Sequence, residues 1–230
     1  MNTPSQTILG YQVRQECWAI ADRQFDLLWP ADMDALLDAP LTLKRSKEDD
    51  YMPYWAQPWP GSVLLAEAVL AGEAGLSRPA IELGCGIGIV SLAAAAKGWS
   101  IKATDYDADA VHFTQLNADR NKITLAGCEL LDYRIPLTSS QFDLILCADL
   151  LYERKKCAPV ARWIASALKP GGIALISDPN RSAADEFPDH AQSAGLNPLV
   201  TQVETTAPAG LLTRGRVWTV THSEIHSRGT

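Results

Sequence analysis

The sequence predicts an α/β fold, a doubly wound sheet of seven strands with helices on both faces, and three observations point to it. From about residue 80 onward, short apolar runs alternate with helical patterns, which is how parallel strands covered by helices read. Seven such runs occur before the chain ends. Three glycines, Gly84, Gly86 and Gly88, fall where the first strand of the series turns into its helix.

The elements follow in order. The first 60 residues do not join the rhythm and read as an appended N-terminal extension or lid. Within it, 25–29 is expected as a strand, 31–37 as a short helix and 44–50 as an exposed polar loop, because Lys44, Arg45 and Lys47 run straight into Glu48, Asp49 and Asp50. Residues 51–61, YMPYWAQPWPG, hold two Tyr, two Trp and three Pro, and an apolar helical stretch follows over 62–71. Aromatic side chains plug cores. Proline-stiffened aromatic loops also build rigid walls for flat or cationic ligands, and composition leaves both readings open. Strands are expected at 80–83, 100–104, 128–132, 142–148, 172–177, 198–203 and 217–221, and helices at 90–97, 108–121, 156–168 and 182–194. Lys169, Pro170, Gly171 and Gly172 read as the end of one helix and the start of the fifth strand. Residues 61–222 form the expected main domain and 223–230 a flexible tail.

Composition removes several function classes. A 230-residue chain, 47% apolar and 20% charged, is expected to bury a core, which argues against disorder and fibre. Its longest apolar run, 87–96, is far shorter than the ~20 residues that a spanning helix needs, and the N-terminus lacks a signal pattern. No membrane partner and a cytoplasmic location are expected. Twenty Lys and Arg against 27 Asp and Glu give a net charge of −7, which repels a phosphate backbone. The five cysteines, Cys17, Cys85, Cys128, Cys147 and Cys157, form no CxxC pair and read as reduced thiols filling apolar positions. His222 and His226 stand four apart, but HSEIH lacks the order of a zinc helix, so no metal is expected.

The chemistry concentrates around IELGCGIGIVS. Glycines at alternate positions let the backbone turn sharply and approach a ligand with no Cβ in the way. The dinucleotide fingerprint wants its third glycine three residues past the second, where Ile89 stands, and no GxxxxGK[ST] occurs anywhere, so the ligand need not carry a phosphate. Glu82, ending the strand before the loop, would repel a pyrophosphate and favour a cationic ligand. Asp105 ends the next strand, about 20 residues on, where a carboxylate can accept bonds from ribose hydroxyls. Asp107 is better placed to cap the helix after it. Tyr106 would lie against an adenine ring or cover the sheet edge.

The runs IELGCGIGIVS, ATDYD and FDLILCADLLY together resemble the class I, seven-strand S-adenosyl-L-methionine (SAM) methyltransferases over most of residues 80–222. YWAQPWPG, ADLLY, DPNR at 178–181 and RVWTV resemble the branch that includes protein-lysine methyltransferases, among them those acting on the electron transfer flavoprotein β subunit, some members being labelled nicotinamide N-methyltransferase-like. The resemblance implies a Rossmann-like, mostly parallel sheet with an antiparallel last strand, SAM as methyl donor and an amine nitrogen as acceptor. It implies that Gly84, Cys85, Gly86 and Gly88 border the methionine part of SAM, with Glu82 near its amino group. Asp105 would hold the ribose, Asp132 and Tyr133 would flank the adenine, and Trp59 would close over the cofactor. Ala148 and Asp149 would face the transferred methyl, and Asp149 with Tyr152 reproduces the DxxY pattern of the branch, Asp149 aiming the amine lone pair and Tyr152 orienting it. The alternative for Asp149 is a cap for a helix beginning near Leu151. Nucleic-acid amino-methyltransferases carry Asn or Asp, two prolines and an aromatic where this chain has ADLLY, so the expected partner is a protein lysine or a small amine and not a nucleic acid. A small-molecule N-methyltransferase and a catalytically silent SAM-binding module are the other readings.

Overall fold

The computed structural model of the chain describes residues 7–49, 51–206, 210 and 212–223. Strands β4 (Pro79–Leu83), β5 (Ser100–Asp105), β6 (Gly127–Leu130), β7 (Phe142–Ala148), β8 (Leu168–Asp178), β9 (Leu196–Thr206) and β10 (Leu212–His222) form one sheet in the order β6-β5-β4-β7-β8-β10-β9. β4 to β8 run parallel to one another, whereas β10 is antiparallel to both β8 and β9. The expected class, strand count and antiparallel last strand are all present. Strand order reverses between β4 and β7, and in such sheets ligands bind at that switch, outside the carboxyl ends of the strands.

Helices cover the sheet because their apolar residues leave them no stable alternative. α4 (Ile89–Ala96) is buried over its first six residues, and α3 (Pro60–Ala71) is buried along most of its length. α5 (Ala108–Arg120), α6 (Arg154–Ala167) and α7 (Phe187–Ser193) are amphipathic and bury one stripe each. Trp163 of α6 and Trp218 of β10 are the largest fully buried side chains, Trp163 stacked on Phe142 and Trp218 edge-on to Phe187.

The N-terminal residues form a second, three-stranded antiparallel sheet, β1 (Thr7–Ile8), β2 (Tyr11–Ile20) and β3 (Arg23–Pro30). Asn117, fully buried on α5, stitches it down: its Oδ1 accepts from Leu28 N at 2.7 Å while its Nδ2 donates to the carbonyls of Leu28 at 3.0 Å and Ile87 at 2.8 Å. α1 (Met33–Leu37) and α2 (Pro40–Asp49) then carry the chain over the carboxyl end of the main sheet.

Several expectations need correction. Residues 44–49 are not a loop: α2 runs to Asp49, because Pro40 opens it and Arg45 and Asp49 find partners across the cleft, and Asp50 lies outside the described residues. Lys169 to Gly172 do not separate helix from strand; β8 begins at Leu168 and absorbs them in an irregularity opposite Phe142 and Leu144, with Gly171 at φ +78°. The expected helix over 182–194 is a 3₁₀ turn, Ser182–Glu186, followed by α7, with Pro188 in the first turn of α7. β6 stops at Leu130, leaving Asp132 beyond it. Cys17 is exposed on β2 and not a core thiol, whereas Cys85, Cys147 and Cys157 are buried. The tail beyond Ser223 lies outside the described residues. Among the described residues no helix is long and apolar enough to cross a membrane, and no group of three or more metal-ligating side chains occurs.

Candidate active site

The carboxyl ends of β4, β5 and β7 open into a cavity of about 420 Å³, roofed by the aromatic segment before α3. Of the residues singled out from sequence, Trp59, Gly84, Gly86, Asp105, Tyr106, Asp132, Tyr133, Ala148, Asp149 and Tyr152 all line it. A smaller adjoining pocket of about 40 Å³ is lined by Glu82, Cys85 and Asp149, among others, and shares Trp59, Gly84 and Gly86 with the first. Gly88 lines neither. It caps α4 at φ +91°, and a Cβ there would lie 2.9 Å from Thr114 Cγ2, so its absent side chain serves the packing of α4 on α5.

The glycine loop is fixed by left-handed glycines and by a bond to Asp105. Gly84 has φ +68°, and a Cβ on it would meet Leu150 Cδ2 at 2.5 Å, so any other residue there would be strained and would also push into the cavity wall. Gly86 N donates to Asp105 Oδ2 at 2.9 Å, while Asp107 N donates to Asp105 Oδ1 at 3.0 Å. Burial pushes the Asp105 carboxyl up to about 6 against those two backbone bonds. Asp107 is the α5 cap, as expected: its Oδ1 accepts from Asp109 N at 2.9 Å. Its other oxygen is held by the Tyr51 hydroxyl and by Arg45 Nη1.

Glu82 is fully buried beneath the loop and accepts from Ser91 Oγ; burial pushes its carboxyl up to about 8. A cation in the adjoining pocket would draw that proton off. On the opposite side Arg134 grips Asp132 and reaches Asp49 of α2, whose carboxylate also takes the Tyr106 hydroxyl. The hydrogen bonds from Arg134 hold Asp132 below the ordinary carboxylate range. Arg134 also lies over Tyr106, 5.0 Å from the ring centroid, so α2 and the β6 end clasp one wall of the cavity.

Asp149 follows β7 at φ +57°, a left-handed conformation unusual for a residue with a Cβ. It caps no helix, since α6 starts at Arg154 with Glu153 before it. Its Oδ1 accepts from Arg181 Nη1 at 2.6 Å; its Oδ2, buried, has no well-aligned donor, although the Gly61 backbone N–H also faces the carboxyl. Room for Oδ2 exists only because residue 61 is glycine: a Cβ there would lie 2.4 Å away. Burial raises the Asp149 carboxyl and Arg181 opposes the rise. Tyr152 packs edge-on to Tyr54 with centroids 5.0 Å apart, Tyr54 packs edge-on to Trp59 at 5.8 Å, and the Trp59 indole N–H donates to the Tyr54 carbonyl. Lys156 Nζ sits 4.5 Å from the Tyr152 centroid. An apolar aromatic wall thus faces a buried carboxylate with one free acceptor.

Sequence reasoning assigned no role to Arg181, Tyr54, Gly61 or Arg134. DPNR was noticeable as a motif, but nothing in the order of residues says that Arg181 returns to Asp149.

A methyltransferase-domain family model matches residues 62–222, which is more than half of the chain. The chain belongs to the methyltransferase-domain family. It is 33% identical over 150 residues to the electron transfer flavoprotein beta subunit lysine methyltransferase of Danio rerio, a match over 64% of this chain and 57% of that protein. It is 30% identical over 121 residues to the ubiquinone biosynthesis O-methyltransferase of Burkholderia ambifaria, covering 51% of this chain and 49% of that protein. The chain therefore spans about half of the length of these curated relatives. Among solved structures, a 16S rRNA methyltransferase from T. thermophilus, in complex with AdoMet and guanosine, superposes with a TM-score of 0.60 at 16% identity, over 92% of this chain and 51% of that one. That likeness is one of fold. With O-methyltransferases and an RNA methyltransferase among the neighbours, the expectation that nucleic acid is excluded as a substrate is not supported.

The methyl donor that the family implies is SAM, and the residues present fit it. The loop backbone is bare at Gly84 and Gly86, the aromatic and acidic lining matches a cationic nucleoside, and Glu82 places a protonatable carboxyl where an ammonium group favours it.

Proposed function

We propose that this chain transfers a methyl group from SAM to an amine nitrogen, and that the amine belongs to a protein lysine. The observation that carries the reading is the unpartnered Oδ2 of Asp149, buried at the cavity wall beside Trp59, Tyr54 and Tyr152. A buried acceptor without a well-aligned donor calls for one, and an amine N–H of the ligand would supply it. SAM supplies an activated methyl on a positive sulfur, so the protein's work is alignment. Asp105 takes the ribose, and Tyr106, Asp132 and Tyr133 flank the adenine. Gly84, Cys85 and Gly86 border the methionine part with Glu82 at its amino group, and Trp59 closes over it. Ala148 leaves space at the transferred methyl.

An ammonium group, ordinarily titrating near ~10.4, has no lone pair and must shed a proton first. Tyr54, Trp59 and Tyr152 desolvate it and lower its pKa, so that its proton passes to solvent, and Asp149 accepts a hydrogen bond from the neutral amine and aims the lone pair. The lysine assignment draws support from the name of the Danio rerio relative and from the net charge of −7, which favours a basic target surface. In this reading residues 61–222 perform the transfer and residues 1–60 act as a lid.

The test is incubation of the purified chain with methyl-tritiated SAM and a cell extract, followed by acid hydrolysis. Label recovered as methyl-lysine supports the proposal. Label on a small amine moves the acceptor to a metabolite; label on oxygen or RNA, or none at all, overturns the amine reading.

A further inference from the structure

Asp149 does not stand alone at the acceptor side. Arg181 Nη1 donates to Asp149 Oδ1 at 2.6 Å and also to Asp178 Oδ2 at 3.1 Å, so one nitrogen bridges two buried carboxylates. The segment that delivers it is locked in turn. Asn180 sits at φ +63°, Arg181 N donates to Asp178 Oδ1 at 2.6 Å, and Arg216 Nη2 of β10 donates to the Arg181 carbonyl at 2.8 Å. Arg216 also approaches Asp178 Oδ1 at 3.6 Å and is held by Asp185 at 2.7 Å. The groups facing Asp149 are therefore Arg181 and Asp178 from the end of β8, the backbone of Gly61 from α3, and Glu82 and Trp59 across the smaller pocket. Arg181 is the cation bonded to Asp149; Lys156 and Arg134 line the same cavity without a bond to it.

A carboxylate has about four acceptor positions and, unrestrained, offers either oxygen. Here Oδ1 is taken and only Oδ2 is left. We infer that Arg181 is a positioning residue for the transfer proposed above: by holding Oδ1 of Asp149 it favours the charged form of that carboxyl and leaves Oδ2 turned toward the incoming amine. This rests on the amine-transfer reading for its purpose, but its electrostatic half does not. Burial and the nearby Asp178 push Asp149 toward the neutral acid, in which one oxygen carries a proton and donates, and Arg181 counters that together with the Gly61 backbone.

The experiment compares the full-length chain with its R181Q and R181K variants. S-adenosylhomocysteine affinity by calorimetry, expected to stay within about threefold, reports that the fold and donor site are intact, because Arg181 is assigned no part in holding the nucleoside. Two readouts then judge the inference. In protein labelled with ¹³C at aspartate carboxyls, the Asp149 resonance, assigned by its loss in D149N, is expected to titrate at least about one pH unit higher in R181Q, and R181K to recover most of that change. With poly-L-lysine as acceptor and methyl-tritiated SAM as donor, R181Q is expected to lower kcat about 10- to 100-fold, to leave KM for SAM unchanged and to move the acid limb of the rate profile upward, with partial rescue by R181K. An unmoved Asp149 titration overturns the inference, as does a loss of rate equal at every pH and not rescued by lysine. If the wild-type chain labels no lysine at all, the function proposed above fails, and the carboxyl titration still decides whether Arg181 sets the charge on Asp149.

Discussion

Two carboxylates close the two strands that flank β4, and the molecule treats them in opposite ways. Asp105, at the end of β5, has each oxygen bonded to a backbone N–H, from Gly86 and from Asp107. Asp149, just past β7, stands in a left-handed conformation, leans on one distant arginine and keeps one oxygen without a partner. The first is a fixed part of the loop, rigid before any ligand arrives. The second carries backbone strain and an unmet hydrogen bond, features that folded proteins hold where ligands are bound or altered. Under the proposed function, the β5 side binds and the β7 side reacts.

The largest expected effect separates the two sides. Asp149→Asn keeps the shape but replaces the charged acceptor, and should reduce methyl transfer about 10²- to 10³-fold while S-adenosylhomocysteine affinity changes less than about threefold. Equal losses in both would erase the contrast. Asp105→Ala should do the reverse, weakening the same ligand by about 2–3 kcal/mol through lost charged hydrogen bonds and a loosened glycine loop, measured as the concentration dependence of the thermal-shift midpoint.

Glu82 sharpens the comparison through pH. Its carboxyl titrates near 8 in the folded chain against 4.5 ordinarily, so the folded state holds an extra proton between those values. Stability from this group is present below the ordinary value and is lost as pH rises through the folded one. Glu82→Gln removes that loss, and its amide oxygen still accepts from Ser91. The variant should match the wild type in urea unfolding near pH 4.5 and exceed it by roughly 1–3 kcal/mol near pH 9. A difference of the same size at both pH values would contradict the buried-acid assignment. The smallest effect lies at the lid, where Arg45→Gln leaves Asp107 to Tyr51 and the α5 backbone and should lower stability by about 1 kcal/mol.

The β5 side was legible in the sequence because its parts are neighbours in the chain. Glu82, the glycines and Asp105 belong to one strand–loop–helix–strand unit, β4 to β5, whose parallel pairing brings Asp105 to the loop. Gly88 shows the limit: its spacing suggested ligand contact, whereas its actual neighbour, Thr114 on α5, is set by helix packing. The β7 side was legible only as an acid and a tyrosine. Arg181 comes 32 residues after Asp149, and only the parallel pairing of β7 with β8 brings their ends together. α2 was misread for a similar reason. Lys44 to Asp50 look solvated as a string, and the partners that hold Arg45 and Asp49, Asp107 and Arg134, come from the ends of β5 and β6. β2 escaped notice because its alternation is diluted by Arg14, Gln15 and Glu16 on an exposed sheet.

The most direct test is calorimetric titration of the wild-type chain with S-adenosylhomocysteine near pH 7.5, repeated in buffers of different ionisation enthalpy. One ligand per chain, with net proton release as Glu82 ionises beside the ligand's ammonium group, is the predicted result. The absence of binding heat in every buffer would contradict a nucleoside site at the ends of β4 and β5, and binding without proton release would contradict the place given to Glu82.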